Sequence, residues 1–161
     1  MIKKGIILSG GKGTRLGPLT IGVNKQLLPV YDKPLIFYPL SVLMLANIKE
    51  ILIIVNPEQK KNFFSILGNG RRYGIKLNYK IQKKPNGLPE AFKIGEKFIG
   101  KNNVALILGD NFFYGQGLSD NLKKSETFLN GAMIFIKETN HPEKYGIVKL
   151  KNNKIFKIIE K

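Results

Sequence analysis

The sequence contains no cysteine and only one histidine. The absence of cysteine excludes a disulfide-stapled scaffold and any chemistry that depends on a thiolate. The single histidine, His141, lies in the polar stretch TNHPEKYG, where we interpret it as a loop residue rather than a catalytic base. The sequence also shows no Ser/His/Asp set and no zinc-ligand spacing, so it does not support a serine hydrolase or a zinc protein.

The sequence also lacks a long apolar run. No stretch approaches the roughly 18 apolar residues that a membrane-spanning helix needs. The N-terminal segment MIKKGIILSGG has too short an apolar part for a signal peptide and no small-residue cleavage site. We therefore expect a first β-strand here, a cytoplasmic protein and no membrane partner.

Acidic residues are few: 11 stand against 27 basic residues, which gives a formal net charge of +16. Most of the basic residues are lysines, and they are spread along the chain without a compact cluster that is interleaved with aromatic residues. We therefore expect no nucleic-acid partner, and a basic nucleic-acid-binding protein is kept only as an alternative. The positive field instead favours small anionic ligands such as phosphates.

The composition and the apolar pattern indicate a globular α/β protein. Hydrophobic residues make up 43% of the 161 residues and charged residues 24%, which is enough chain and apolar content for one domain. Continuously apolar strands alternate with helical segments, which predicts a mostly parallel sheet with helices on both faces, a Rossmann-like three-layer α/β/α fold. The expected strands are residues 2–8, 50–56, 74–82 and 103–111, then 131–139 and a hairpin around 152–153. The expected helices are residues 35–47, 57–67, 88–99 and 118–129.

Ligands of such folds bind at the carboxyl ends of the parallel strands. The first of these ends carries GGKGTRL, residues 10–16, which we call the glycine loop. Gly10, Gly11 and Gly13 place no Cβ in the way of an anion that approaches the backbone N–H groups. Thr14 adds a hydroxyl donor, and Arg15 adds a planar guanidinium that matches phosphate oxygens. The spacing fits neither a dinucleotide fingerprint nor a Walker loop, and the alternative is a tight turn with a surface arginine.

Four later positions could contribute to the same site. Lys25 is close enough in sequence to the glycine loop to place a charge on a phosphate, although a solvated lysine is equally compatible. Gln82 offers an amide that can pair with a nucleobase edge, and Gly87 could bring backbone groups against a flat ring; the alternative is an Asn-Gly turn before a helix. Asp110, at the end of an apolar strand, can hold Mg²⁺ together with substrate phosphates, or can cap the next turn. These features describe a nucleoside triphosphate site.

Seven blocks of the sequence occur in an order and spacing that are familiar from one enzyme family. The blocks are GIILSGGKGTRLGPLT, NKQLLPVYDKPLIFYPLSVLMLA, EILIIV, YKIQKKPNGLPEAF, LILGDNFFYG, EKYGIV and the final IIEK. Together they closely resemble glucose-1-phosphate thymidylyltransferases, which are sugar-nucleotide nucleotidylyltransferases. The combination of KQLLPVYDKP with LGDN narrows the resemblance to the thymidylyl branch, and a UTP-using sugar-phosphate uridylyltransferase is the alternative.

The resemblance implies a Mg²⁺-dependent reaction of dTTP with α-D-glucose 1-phosphate that gives dTDP-glucose and pyrophosphate for dTDP-sugar and polysaccharide biosynthesis. It assigns nucleotide binding to Gly10, Gly11, Gly13, Thr14, Arg15, Lys25, Gln26, Gln82, Pro85, Gly87 and Asp110. It assigns sugar-phosphate binding to Asn111, Tyr145, Gly146, Glu160 and Lys161. The implied catalytic residues are Arg15, Lys25, Asp110 and Lys161, and the implied Mg²⁺ ligand is Asp110.

Members of this family are considerably longer than this chain. The resemblance therefore implies that residues 1–161 form a single nucleotidyltransferase domain that is truncated to its N-terminal, nucleotide-binding portion, without the second Mg²⁺ aspartate. A non-catalytic or partner-dependent nucleotide-binding fragment is the alternative. A homo-oligomer is compatible with the resemblance, while base preference, sugar specificity and oligomeric state are left open.

Overall fold

A computed structural model describes residues 2–11, 13–84, 86–126, 131–152 and 154–159. The chain divides into two compact units, residues 1–129 and 130–161, and each is described by itself. Among the described residues, no helix combines the length and the apolarity that crossing a bilayer requires.

Among its described residues, the first unit contains six strands and four α-helices. In chain order the strands are β1 (Lys4–Ser9), β2 (Pro29–Val30), β3 (Lys33–Pro34), β4 (Glu50–Val55), β5 (Lys76–Ile81) and β6 (Val104–Leu108). The helices are α1 (Phe37–Leu45), α2 (Lys60–Leu67), α3 (Glu90–Ile99) and α4 (Leu118–Glu126). The four long strands and the four helices lie where the sequence predicts them, although residues 127–129 of the fourth expected helix lie outside the described residues.

The four long strands form one parallel sheet in the order β5-β4-β1-β6. The register pairs Ser9 with Val55 and Val55 with Ile81, and it pairs Leu8 with Leu108. Because the strands are parallel and in register, their carboxyl ends lie side by side along one edge. The residues that follow the strands therefore come together at that edge.

Helices cover both faces of this sheet. Successive strand residues point to opposite faces, so Ile7, Ile53 and Val55 pack on one side with residues of α1, α2 and α4. Ile6 and Ile54 pack on the other side with residues of α3. This confirms the predicted three-layer α/β/α fold with a mostly parallel sheet.

The second unit differs in two ways from the prediction. Its hairpin, β7 (Ile147–Lys151) and β8 (Lys154–Ile159), forms around Asn152 as predicted, but it is an antiparallel sheet of its own. The fifth strand expected at residues 131–139 is wrong, since the structure assigns no strand there. Its apolar side chains, such as Met133 and Ile136, are about half exposed, and an apolar run becomes a strand only where neighbouring layers bury it.

Candidate functional site

The four strand ends bring two predicted site residues, Gln82 and Gly10, to one edge of the sheet. Gln82 follows β5, Asn56 follows β4, Gly10 follows β1 and Gly109 follows β6. Their order along the edge is the order of the strands. The glycine loop is therefore central, with the Gln82 segment on one side and the Asp110 segment on the other.

A cavity of about 290 Å³ opens at this edge beside the glycine loop. Its walls are formed by Gly11, Gly13, Thr14, Arg15, Leu16, Lys25, Gln26 and Asp110. All of these residues except Leu16 were predicted as site residues. The structure thus brings Asp110 together with the glycine loop and the nearby Lys25, which is 85 positions before Asp110 in the chain.

The glycines of the loop are required for different reasons. A Cβ on Gly10 would lie 2.0 Å from Oε1 of Gln82, so that the glutamine side chain takes the place of a side chain at position 10. Gly13 has φ +64°, which an L side chain rarely adopts, and a Cβ there would also press on Lys25. A Cβ on Gly11 would meet nothing within 4 Å. Packing within the protein does not require a glycine at position 11, and the bare backbone there faces the cavity.

Two asparagines that the sequence analysis did not predict hold the loop in place. Asn24 Nδ2 donates to the carbonyl of Ser9 at 3.3 Å, and Asn24 Oδ1 accepts from the backbone N–H of Gln26 at 3.0 Å. With the Asn56 amide nitrogen turned towards the loop, it donates to the carbonyl oxygens of Gly10 at 3.0 Å and Ser9 at 3.3 Å. The local signal for Asn24 was its place before Lys-Gln, because asparagine caps short turns.

Lys25 is held in the cavity by its buried neighbours. Asn24, Gln26 and Leu27 on either side of it are all less than 9% exposed, and the carbonyl of Gln26 accepts from the N–H of Ile36 at 2.8 Å. The Lys25 ammonium is thereby directed to Asp110, where Nζ lies 2.9 Å from Oδ2.

Arg15 is a second cation at the cavity. It lies in a short 3₁₀ helix, Thr14–Leu16, and is exposed. Among the described residues no carboxylate lies within salt-bridge distance of its guanidinium. Arg15 and Lys25 thus oppose the single carboxylate of Asp110, an arrangement that attracts a polyanion.

Two buried oxygens, Ser9 Oγ and Gln26 Oε1, lack hydrogen-bond partners among the described residues. Both side chains lie close to Gly109, the residue before Asp110. A Cβ on Gly109 would lie 2.1 Å from Ser9 Oγ, so that glycine leaves room for the hydroxyl. An unsatisfied buried polar group is destabilising by about 1–3 kcal/mol. These oxygens indicate a place for a water, a cation or a ligand group.

The carboxylate of Glu90 ties Gln82 to the following loop. Its Oε2 accepts from Gln82 Nε2 at 2.5 Å and from the backbone N–H of Asn86 at 3.2 Å, while Oε1 accepts from Asn86 Nδ2 at 3.0 Å. The hydrogen bond from Gln82, followed by those from Asn86, holds the pKa of Glu90 below its usual range. Gly87, inside this loop, has φ +90°, which favours glycine.

The comparisons with known proteins agree with this geometry. A sequence model of the family described as nucleotidyl transferase matches residues 4–161. The chain belongs to the nucleotidyl transferase family.

The relatives of this nucleotidyl transferase include a glucose-1-phosphate thymidylyltransferase of Neisseria meningitidis, 54% identical over 93% of the chain and 52% of the relative. Another, of Xanthomonas campestris, is 50% identical over 99% of the chain and 54% of the relative. The chain thus spans about half the length of the curated relatives it matches.

A Bacillus anthracis crystal structure, named as a glucose-1-phosphate thymidylyltransferase in complex with sucrose, superimposes with a TM-score of 0.91 at 35% identity. It covers 98% of this chain and 63% of the neighbour. UDP-glucose pyrophosphorylase shares the fold at 24% identity, with a TM-score of 0.80 for the apo form.

Several predicted site residues of this nucleotidyl transferase lie outside the cavity wall. Gln82 contacts the cavity loop through Gly10, and Asn111 donates its N–H to the carbonyl of Leu108 at 3.1 Å. Tyr145 and Gly146 lie in the second unit, directly before β7. The predicted residues Pro85, Glu160 and Lys161 lie outside the described residues.

Glu90 is the functional candidate that sequence reasoning missed. Its signal was weak, because an acidic residue in the first turn of a helix is common and is explained by the helix dipole alone. Only the folded loop shows that its carboxylate accepts three hydrogen bonds.

Proposed function

We propose that residues 1–161 form the nucleotide-binding portion of a single nucleotidyltransferase domain that takes dTTP. The reaction is transfer of the thymidylyl group to α-D-glucose 1-phosphate, with release of pyrophosphate, in the cytoplasmic synthesis of dTDP-sugars for polysaccharides. The observation that carries the proposal is the cavity in which a bare glycine backbone, two cations and one carboxylate converge. The names of the relatives at 50–54% identity support the choice of thymidine and glucose 1-phosphate.

The chemistry explains why such a site needs cations more than a base. An oxygen of the sugar phosphate attacks the α-phosphorus of dTTP in line, a new P–O bond forms, and the bond to the β-phosphate oxygen breaks with the electrons leaving on pyrophosphate. Negative charge therefore develops on the pyrophosphate in the transition state. Arg15 and Lys25 are the side chains that would neutralise it, and fixed cations stabilise such charge without reorganising.

The described residues fit a magnesium ion that arrives with its substrate. Among them, no group of three His, Cys, Asp or Glu side chains could hold a metal alone. Mg²⁺, however, commonly uses one or two carboxylates and completes its shell with phosphates and water. Asp110 would hold the ion, and the unpartnered Oε1 of Gln26 is an oxygen of the type it prefers. The ion would supply further charge neutralisation on the phosphates.

Base reading is assigned to Gln82 and Gly87, and Pro85 is assigned to nucleotide binding. The sugar-phosphate side is assigned to a second group of residues, and catalysis there to Lys161. This group comprises Asn111, Tyr145, Gly146, Glu160 and Lys161. These assignments rest on the sequence resemblance, and a homo-oligomer, as in the family, belongs to the same proposal.

A second candidate function is nucleotide binding without turnover. It is favoured by one observation: among the described residues that line the cavity, Asp110 supplies the single carboxylate. Such a chain would bind the triphosphate but would need a partner to complete the metal and sugar sites.

One experiment separates these functions. The chain is titrated with dTTP and with UTP in the presence of Mg²⁺ by calorimetry, and pyrophosphate is then measured after glucose 1-phosphate is added. Binding of dTTP with pyrophosphate release supports the transferase, and binding without release supports the second candidate. Binding of neither triphosphate would refute both, and stronger binding of UTP would refute the thymidine preference.

A further inference from the structure

The side chain of Gln82 is buried between two neighbours that constrain its amide. The residue is 4% exposed. Its Nε2 donates to the carboxylate of Glu90, and its Oε1 lies against Gly10, at the start of the glycine loop. The two ends of the amide therefore face different parts of the molecule.

Glu90 determines which end faces which way. An ionised carboxylate accepts hydrogen bonds and cannot donate them, so the nitrogen of Gln82 has to face Glu90. The amide oxygen is then left on the side of the glycine loop as a fixed acceptor. A glutamine without such a partner could turn its amide by half a rotation and present either a donor or an acceptor.

The same carboxylate also fixes the loop that follows. Glu90 accepts from both the backbone and the side chain of Asn86, which ties Asn86, as well as Gln82, to the first turn of α3. The orientation of the Gln82 amide and the position of Asn86 therefore depend on the same carboxylate.

We propose that Glu90 is a positioning residue for base recognition. By holding Gln82 as an acceptor, it makes the site select a pyrimidine whose ring N3 carries a proton. Thymine and uracil have this N–H donor, whereas N3 of cytosine is itself an acceptor. The inference rests on the proposed function, because it takes Gln82 as a residue that reads the base.

The discrimination between thymine and cytosine follows from which donors and acceptors are left unpaired. A thymine N–H can donate to the fixed oxygen of Gln82, but a cytosine at the same place would oppose two acceptors and leave both unpaired. Sites that are built to pair a polar group reject ligands that cannot complete the pair. If the amide of Gln82 were free to turn, it could satisfy either base, and the discrimination would fall.

The test compares dTTP with dCTP as ligands of the whole chain, by calorimetry in the presence of Mg²⁺. Glu90→Ala should lower the ratio of dTTP to dCTP affinity about ten-fold, the effect of losing one oriented hydrogen bond. The ratio is the informative quantity, because loss of one negative charge changes the affinity for both triphosphates alike. Glu90→Gln keeps one oxygen acceptor of the same size but adds an N–H donor, so it should restore only part of the preference.

Glu90→Lys provides the opposite test. An ammonium can only donate, so Gln82 should turn its oxygen towards it and present its nitrogen to the base, which shifts the preference towards dCTP. Glu90→Lys replaces Glu90→Ala in the experiment if circular dichroism shows that Glu90→Ala does not fold. Glu96→Ala, an exposed position on the same helix, is the matched control and should leave the ratio unchanged.

The outcomes distinguish a failure of the proposed function from a failure of the role proposed for Glu90. If the wild-type chain binds neither triphosphate, the proposed function is refuted. If the wild type prefers dTTP and the folded Glu90→Ala or Glu90→Lys variants keep the same ratio, the role of Glu90 is refuted while the proposed function stands.

Discussion

The ammonium of Lys25 lies 2.9 Å from Oδ2 of Asp110, across the cavity beside the glycine loop. The two side chains come from segments that are 85 positions apart in the chain. Each is about one-third exposed, so both can be reached by a ligand. A divalent cation that uses Asp110 has to compete with this ammonium, whereas a triphosphate offers Lys25 an alternative partner.

Removing that competition should strengthen metal binding in the absence of nucleotide. We predict that Lys25→Ala raises the affinity for Mn²⁺, used as a probe for Mg²⁺, by about two- to five-fold, the strength of an exposed ion pair. Electron paramagnetic resonance of free Mn²⁺ measures this. Lys33→Ala, which removes a lysine paired with Asp32, is the control. Equal Mn²⁺ affinity in the wild type and in Lys25→Ala would show that the ion pair does not oppose the metal.

The position of Lys25 illustrates what the local residue pattern could not decide, although the resemblance assigns this lysine to the nucleotide site. Most lysines of this chain are solvated, and nothing in the local pattern distinguishes Lys25 from them. Its place is set by long-range packing, because Asn24 and Gln26 are buried on either side and Gln26 pairs with the backbone of Ile36. Such contacts exist only in the folded chain.

Two apolar runs also show what a sequence pattern cannot decide. The run ILIIV in β4, Ile51–Val55, is continuously apolar and is buried in the middle of the sheet, so pattern and structure agree. The run in residues 131–139 has the same pattern and forms no strand. An apolar run records that a segment can be buried, but whether neighbouring layers bury it depends on the rest of the fold.

Two neighbouring glycines should respond differently to the same substitution. Gly10→Ala places a methyl group on Oε1 of Gln82 and should destabilise the fold by about 1–3 kcal/mol, as overpacking does. Gly11→Ala meets no protein atom within 4 Å, so its stability should stay within about 0.5 kcal/mol of the wild type. Its affinity for dTTP should nevertheless fall, because the methyl group lies where the phosphates would approach the backbone.

Urea unfolding gives the two stabilities, and calorimetry gives the dTTP affinities. Each variant is the control for the other, since both add one methyl group to the same loop. If Gly11→Ala binds dTTP as the wild type does, the loop does not hold the phosphates.

Because the pKa of Glu90 is lowered in the folded state, we predict that the free energy of unfolding depends on pH. The pKa of Glu90 is lowered from the usual 4.5, first by the hydrogen bond from Gln82. A carboxylate with a lowered folded pKa contributes stability above its unfolded pKa, and this contribution disappears as the pH falls through the folded value. The wild type should therefore be more stable than Glu90→Gln at pH 7, and the difference should vanish in the acid range below pH 4.5.

Urea unfolding of both proteins at a series of pH values measures that difference. Glu96→Gln, at an exposed position on the same helix, is the matched control. A difference that is constant across the acid range would mean that the carboxylate of Glu90 is not stabilised by its neighbours.

Arg15 should matter for the chemical step far more than for binding or for the fold. The side chain is exposed and lines the cavity, so Arg15→Ala should leave the stability unchanged. Loss of a cation that neutralises charge in phosphoryl transfer lowers kcat by about three orders of magnitude or more, and we expect a much smaller rise in the KM for dTTP. Pyrophosphate release with dTTP and glucose 1-phosphate measures both constants, with Arg71→Ala, an exposed arginine on another loop, as the matched control. An unchanged kcat in Arg15→Ala would remove Arg15 from the transition state, because its position at the cavity would then serve only to attract the nucleotide.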